Sequence, residues 1–334
     1  MSAHERPTVV LTRRDVAGLI DMRECVEVVE GAFRSHAAGE TIPPAVLGIH
    51  VGAGGIHIKS AGLLDERRTF AVKVNANYPD NPARHGLPTI QGLIALFDVA
   101  TGFPLAFMDS IEVTSLRTAA ATAVAAKYLA REDARTVAIC GCGEQGRSQL
   151  RALATVRTIE VVRAFDIDPA SARRYAAAMR AELGIDVTAV EDLASATRVS
   201  DIVVTCTPSR EWYLGRDHVA TGTFVAAVGA DSESKQEIEP ALLAASTIVA
   251  DVLEQCAAIG DLHHALVAGV MTREQVHAEL ADVISGRRPG RRASDEVVIF
   301  DSTGTALQDV AVAALVHERA RAAGVGISLD LGSR

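Results

Sequence analysis

Three glycines, an acid downstream of them and a few cations set in apolar surroundings carry the chemistry that this sequence offers. Gly141, Gly143 and Gly146 form G-x-G-x-x-G within "VAICGCGEQGRSQL" (137–150), directly after an apolar run. Such a loop holds a dinucleotide when a strand precedes it, a helix follows it and an acid closes the next strand. All three conditions are met, because Asp166 lies 20 residues beyond Gly146 at the end of the next strand-like run. The first glycine makes the tight turn and the second lets backbone amides approach the pyrophosphate. The third lets helix and strand pack closely. Glu144 and Gln145 open the helix, whose positive end faces the phosphates. Asp166 can accept hydrogen bonds from the ribose hydroxyls and repels a 2′-phosphate, so NAD(H) is expected rather than NADP(H). Asp168 is the weaker candidate for that contact. The competing reading is a glycine-rich turn with no ligand.

The cations suggest a carboxylate site. Lys59 and Lys73 sit within strand-like segments, and His57 shares a face with Lys59 if that strand is regular. Arg117 interrupts an Ala-rich helix. A cation is costly to bury unpaired, so each must meet water, an acid or an anionic ligand. Arginine grips a carboxylate with two donors and lysine acts as a point charge. Asp231, in "AAVGADSESKQEI" (226–238), falls at the carboxyl end of a strand of the nucleotide sheet. Ligands of open α/β sheets gather there. An acid in that place can exchange a proton with a substrate nitrogen, or it can simply cap a turn. "DLHHAL" (261–266) lacks a third spaced ligand, so no metal is assigned.

Two rhythms of elements must position these groups. Strand-like runs at 7–11, 45–51, 55–61, 69–75, 90–98 and 104–108 are separated by tight turns and predict a mostly antiparallel sheet. Helices are expected at 21–40, capped by Asp21, and at 113–130. From about residue 134 strands alternate with helices, at 159–166, 201–206, 223–229, 246–251 and 296–304, the signature of a doubly wound parallel sheet. A last helix at about 305–323 keeps an apolar stripe and is expected to return to the first domain. The expected fold is therefore α/β, with a Rossmann domain over 131–304 inserted into a split α+β domain of 1–130 plus 305–334.

The chain has 334 residues, 49% of them hydrophobic but only 4% aromatic, so Ala, Val and Ile must fill the core. A net charge of -9 excludes a general nucleic-acid backbone binder. Five scattered cysteines predict reduced, buried thiols and a cytoplasmic protein. No apolar run reaches the roughly 18 residues of a membrane helix, and none at the start reads as a secretory signal.

Taken together, "SLRTAAATAVAAKYLA", "GCGEQGRSQLRAL", "AVGADSESKQEI" and "VVIFDSTGTALQDV" resemble the ornithine cyclodeaminase/mu-crystallin family in order and spacing over nearly the whole chain. The resemblance implies a homodimer with its active site between domains, and an amino-acid or imino-acid substrate. It implies that Lys73 lies near the substrate carboxylate, that Arg117 binds it, that Asp231 is the catalytic acid and that Thr89 lines the site. Lys59 and His57 join the substrate group. Thr205, Lys235 and Thr303 complete the cofactor group. There are departures. An arginine common in the family after the Pro43–Pro44 pair is Ala45 here, with Lys59 the replacement considered. The acid that ornithine cyclodeaminases carry near position 57 is His57. The expected activity is NAD(P)H-dependent oxidoreduction at the C–N bond next to a carboxylate. Ornithine cyclodeamination is the runner-up, and a nucleotide-dependent binding protein without turnover is the third reading.

Overall fold

The computed structural model describes residues 7–52 and 54–331. Two compact units divide the chain. One holds everything up to Arg117 and from Thr305 onward, and the other holds Thr118–Gly304. The first division therefore falls inside a helix, Ser110–Leu129, rather than after it. The second falls at Gly304, beside the 304/305 boundary expected from the sequence.

The first unit is built on a seven-stranded sheet. Its strands are β1 (Thr8–Leu11), β2 (Thr41–Val51), β3 (Gly54–Leu63), β4 (Thr69–Asn77), β5 (Ile90–Asp98) and β6 (Pro104–Asp109), with a closing strand at Ile327–Leu329. The order is closing strand, β1, β6, β5, β4, β3, β2. All neighbours are antiparallel except β1 and β6, which run parallel. β2 begins four residues before the expected strand and takes in Pro43 and Pro44. Proline is tolerated there because β2 is an edge strand, and the register shifts between Ile42 and Ala45. Helix α1 (Met22–Ala37) starts at an Asp21 cap with Glu24 answering from the third position. Helix α2 is Ser110–Leu129.

The second unit carries eight parallel strands, β7 (Thr136–Cys140), β8 (Val161–Phe165), β9 (Asp186–Ala189), β10 (Ile202–Thr205), β11 (Phe224–Ala227), β12 (Thr247–Ala250), β13 (Ala278–Glu279) and β14 (Val298–Asp301). Their order is β13-β12-β14-β11-β10-β7-β8-β9. β10, β11 and β14 are buried at every residue, as a sheet covered on both faces requires. The order reverses between β7 and β10. That switch point is where open α/β sheets bind ligands. Helix α3 (Glu144–Val156) follows β7 and α4 (Pro169–Leu183) follows β8. Helix α5 (Ala306–Ala323) belongs to the first unit and lies against α1, β3 and β4. It is apolar nearly all round and buried nearly all round, with Gln308 and Asp309 as buried polar exceptions in its first turns. Among the described residues no helix is long and apolar enough to cross a membrane.

Candidate active site

The glycine loop of the second unit has the geometry that a dinucleotide needs. Gly141 takes φ +105°, and a Cβ there would lie 2.9 Å from the Cys206 carbonyl. Gly146 packs so closely that a Cβ would lie 2.2 Å from the Gly141 carbonyl, and the Tyr175 hydroxyl donates to the Gly146 carbonyl at 3.0 Å. Gly143 differs from both. It caps α3, and a Cβ placed on it meets nothing within 4 Å. The space in front of the helix is thus kept open, while the first-turn amides of α3 have no partner within the helix. Glu144 is exposed. Gln145 Nε2 is a buried donor without a partner. These features fit a bound pyrophosphate.

Asp166 ends β8 as expected. One of its oxygens accepts the Cys142 amide at 2.8 Å and the other the Asp168 amide at 2.9 Å. Asp168 caps α4 by accepting from Ala170 and Ser171. Its carboxylate is therefore a structural cap, whereas Asp166 stays half-buried beside the glycine loop.

At the ends of β10 and β11 a buried acid organises the loops. Glu237 accepts from the Thr207 amide and hydroxyl at 2.6 Å each, from the Tyr213 hydroxyl at 2.8 Å and from the Gly229 amide at 2.9 Å. Thr205, expected to reach the cofactor, is fully buried on β10, and among the described residues its hydroxyl has no hydrogen-bond partner. Thr303 is 3% exposed, and its hydroxyl accepts from Gln255 at 2.7 Å, within a buried group that includes Asp251. Both threonines are thus buried at or just beyond the carboxyl ends of strands of this sheet. Lys235 forms an ion pair with Asp231 at 2.6 Å. This pair is partly exposed, with Asp231 half-open and Lys235 about one-fifth open. The neighbouring His263 and His264 rings contact the carbonyls of Ala257 and Lys235.

The first unit gathers the cations. Lys59 stands directly opposite Lys73 across β3 and β4, so the two share a face of the sheet, with His57 and Asn75 as the next such pair. Lys59, Lys73 and Arg117 are each less than a tenth exposed. Lys73 Nζ lies 2.8 and 2.7 Å from the two Asp309 oxygens. Arg117 Nε donates to Asp309 Oδ1 at 2.9 Å, and Nη1 donates to Gln308 Oε1 at 2.9 Å. Among the described residues Nη2 has no hydrogen-bond partner. Burial, and then the Arg117 charge, pull Lys73 down to about 7 against the opposing pull of Asp309. Burial works against ionised Asp309, but Lys73 and Arg117 outweigh it and hold the carboxyl below its ordinary range. Ala45 pairs with Ser60, one step out of phase with Lys59. A side chain at 45 thus points to the opposite face, and Lys59 is not its positional substitute. Thr89 is half-buried and precedes β5, at the end of the ladder where Asn77 pairs with Ile90.

Sequence reasoning missed Asp309, Gln308, Glu237, Asp251, Asp261 and Asp301. Asp251 and Asp301 close the strand-like runs "STIVAD" and "VVIFD", which was a usable signal. Asp309 offered one too, as an acid beside Gln308 in an otherwise apolar helix.

Comparison with known proteins places the chain in a family. The model of the ornithine cyclodeaminase/mu-crystallin family matches residues 6–324. An archaeal alanine dehydrogenase dimer with bound NAD superposes with a TM-score of 0.92 at 39% identity, covering 96% of this chain and 98% of that one. The Δ1-pyrroline-2-carboxylate reductase of Thermococcus litoralis, solved with NADH and L-proline, gives 0.92 at 36% identity, covering 96% and 99%. The iminosuccinate reductase of Paracoccus denitrificans with NAD+ gives 0.89 at 35% identity, covering 97% and 99%.

Proposed function

Because the chain belongs to the ornithine cyclodeaminase/mu-crystallin family and is an NAD-dependent oxidoreductase of its imine-reductase and dehydrogenase type, we propose that it reduces a small imine whose carbon bears a carboxylate, or runs the reverse reaction on the amino acid. The observation that carries this reading is the convergence of buried Lys73 and Arg117 with one guanidinium nitrogen, Nη2, that has no hydrogen-bond partner among the described residues. A substrate carboxylate is the anion that such a pair accepts.

In this reading the glycine loop, the first turn of α3 and Asp166 hold the dinucleotide. When bound, NADH supplies the hydride that goes to the imine carbon. Arg117 and Lys73 hold the carboxylate through the reaction. Asp231 delivers the proton that the nitrogen gains and takes one back in the reverse direction, with Lys235 keeping its carboxylate oriented. Lys59 adds positive charge beside Lys73, and His57 and Thr89 border the substrate's remaining part. Lys235 thus acts on Asp231 rather than on the nucleotide. The protein works as a homodimer, with the exposed edge strand β2 in the interface, and in a reducing cytoplasm where its five unbridged cysteines stay free.

A substrate panel tests the reading. NADH oxidation should appear with Δ1-pyrroline-2-carboxylate, with oxaloacetate plus ammonia or with pyruvate plus amines. It should be lost with Δ1-pyrroline, which lacks the carboxylate. Ammonia release from ornithine without net NADH consumption would instead make the protein a cyclodeaminase.

A further inference from the structure

We propose that Asp309 is the positioning residue of the carboxylate site, an inference that rests on the reading above. Asp309 touches both proposed substrate ligands at once. Its Oδ1 accepts from Lys73 and from Arg117, and its Oδ2 lies 2.7 Å from Lys73. It is 1% exposed, sits in the first turns of α5 and is fixed by a helix that packs on β3 and β4. Gln308, one residue earlier, takes a second guanidinium nitrogen. Two of the three nitrogens of Arg117 are thereby committed, the plane of the group is set, and Nη2 is left to face an incoming anion.

The charge balance follows from the same contacts. Asp309 offsets one of the two charges that it holds, so the Lys73–Arg117 pair stays cationic beside Lys59 and attracts a substrate carboxylate. Without Asp309, Lys73 would face Arg117 from α2 and Lys59 from β3 with no counter-charge from α5. Burial would then keep it neutral, and a neutral lysine cannot grip a carboxylate.

The test is Asp309→Asn in the full-length protein with saturating NADH. Initial rates are read with Δ1-pyrroline-2-carboxylate between pH 5.5 and 8.5. Removing one partner of a buried charged pair should raise KM by roughly 30-fold or more, with a smaller change in kcat. The wild type should lose kcat/KM as pH rises through about 7, where free Lys73 gives up its proton. In the variant that limb should move to lower pH, a shift that a merely structural role would not produce. NADH binding, followed by fluorescence, should be unchanged. A fall in KM would overturn the proposal by making Asp309 a competing occupant of the site. An unmoved KM and limb would overturn it as well. If the variant does not fold, Gln308→Leu serves instead, since it releases Arg117 alone. KM should then rise with the limb in place, and an unchanged KM contradicts the proposal. Wild-type protein that uses Δ1-pyrroline and Δ1-pyrroline-2-carboxylate equally well would remove the carboxylate reading itself, a failure distinct from these.

Discussion

Lys59 and Lys73 occupy directly opposed positions on β3 and β4, two buried cations on one face of the sheet. Like charges so placed repel each other, and the Lys59 charge lowers the proton affinity of Lys73. Lys59→Met should therefore move the Lys73 limb of the kcat/KM profile to higher pH, opposite to the shift expected for Asp309→Asn. The pH dependence of kcat/KM with a carboxylate substrate checks this. A shift to lower pH would mean that Lys59 supports Lys73 rather than opposing it.

Asp166 has two duties in the structure, as the acid expected to face a ribose and as the acceptor of the Cys142 amide. Asp166→Ala should thus weaken NADH binding and also narrow the preference for NADH over NADPH. Fluorescence titration with both nucleotides measures this. Tighter binding of NADPH than NADH by the unmodified protein would refute the role given to this carboxylate.

The buried acids of the second unit give it a pH-dependent stability. Asp301 is raised to about 7, first by burial and further by Asp251 and Glu237. Asp261 is raised by burial and by Asp301. Asp261 Oδ2 and Asp301 Oδ1 are buried without hydrogen-bond partners among the described residues. A carboxyl whose folded pKa exceeds its unfolded value binds more protons when folded. Its contribution is complete below the unfolded value and is lost as pH rises through the folded one. For Asp301 the window runs from the ordinary 3.8 to about 7. Asp301→Asn cannot titrate, so the stability of wild type relative to this variant should fall between pH 4 and pH 7. Urea midpoints across that range read it, and a constant difference would contradict it.

Much of this was legible in the sequence, for reasons that particular residues show. The loop of Gly141, Gly143 and Gly146 is local, and its backbone requirements are written in residue type. The period of two in "GIHIKSA" and "TFAVKVN" put His57, Lys59 and Lys73 on strands whose pairing then fixed their common face. Asp309 was not legible, because its partners Lys73 and Arg117 lie 236 and 192 residues away. An acid near a helix start reads locally as a favourable dipole contact. The strand expected at 45–51 begins at Thr41 instead, because an edge strand tolerates Pro43 and Pro44.

That edge strand also predicts assembly. Val46, Leu47, Ile49 and Val51 on β2 are each more than two-fifths exposed, and the strand offers an unpaired ladder edge. Apolar edges of this length are usually covered. Sedimentation at micromolar concentration should give twice the 35.1 kDa chain mass, and Leu47→Glu with Ile49→Lys should shift the protein toward monomer. A monomeric wild type would contradict the homodimer.

The central claim is that hydride reaches the carbon next to a carboxylate while Asp231 moves the proton. It is tested most directly with NADH deuterated at the transferring position and Δ1-pyrroline-2-carboxylate as acceptor. Mass spectrometry of the proline formed should find the deuterium on its α-carbon. Asp231→Asn should bind NADH as before but transfer the label roughly 100- to 10,000-fold more slowly. If Asp231 only pairs with Lys235 or shapes the turn, asparagine should serve nearly as well. Label absent from the α-carbon, or near-full transfer by Asp231→Asn, would contradict the account.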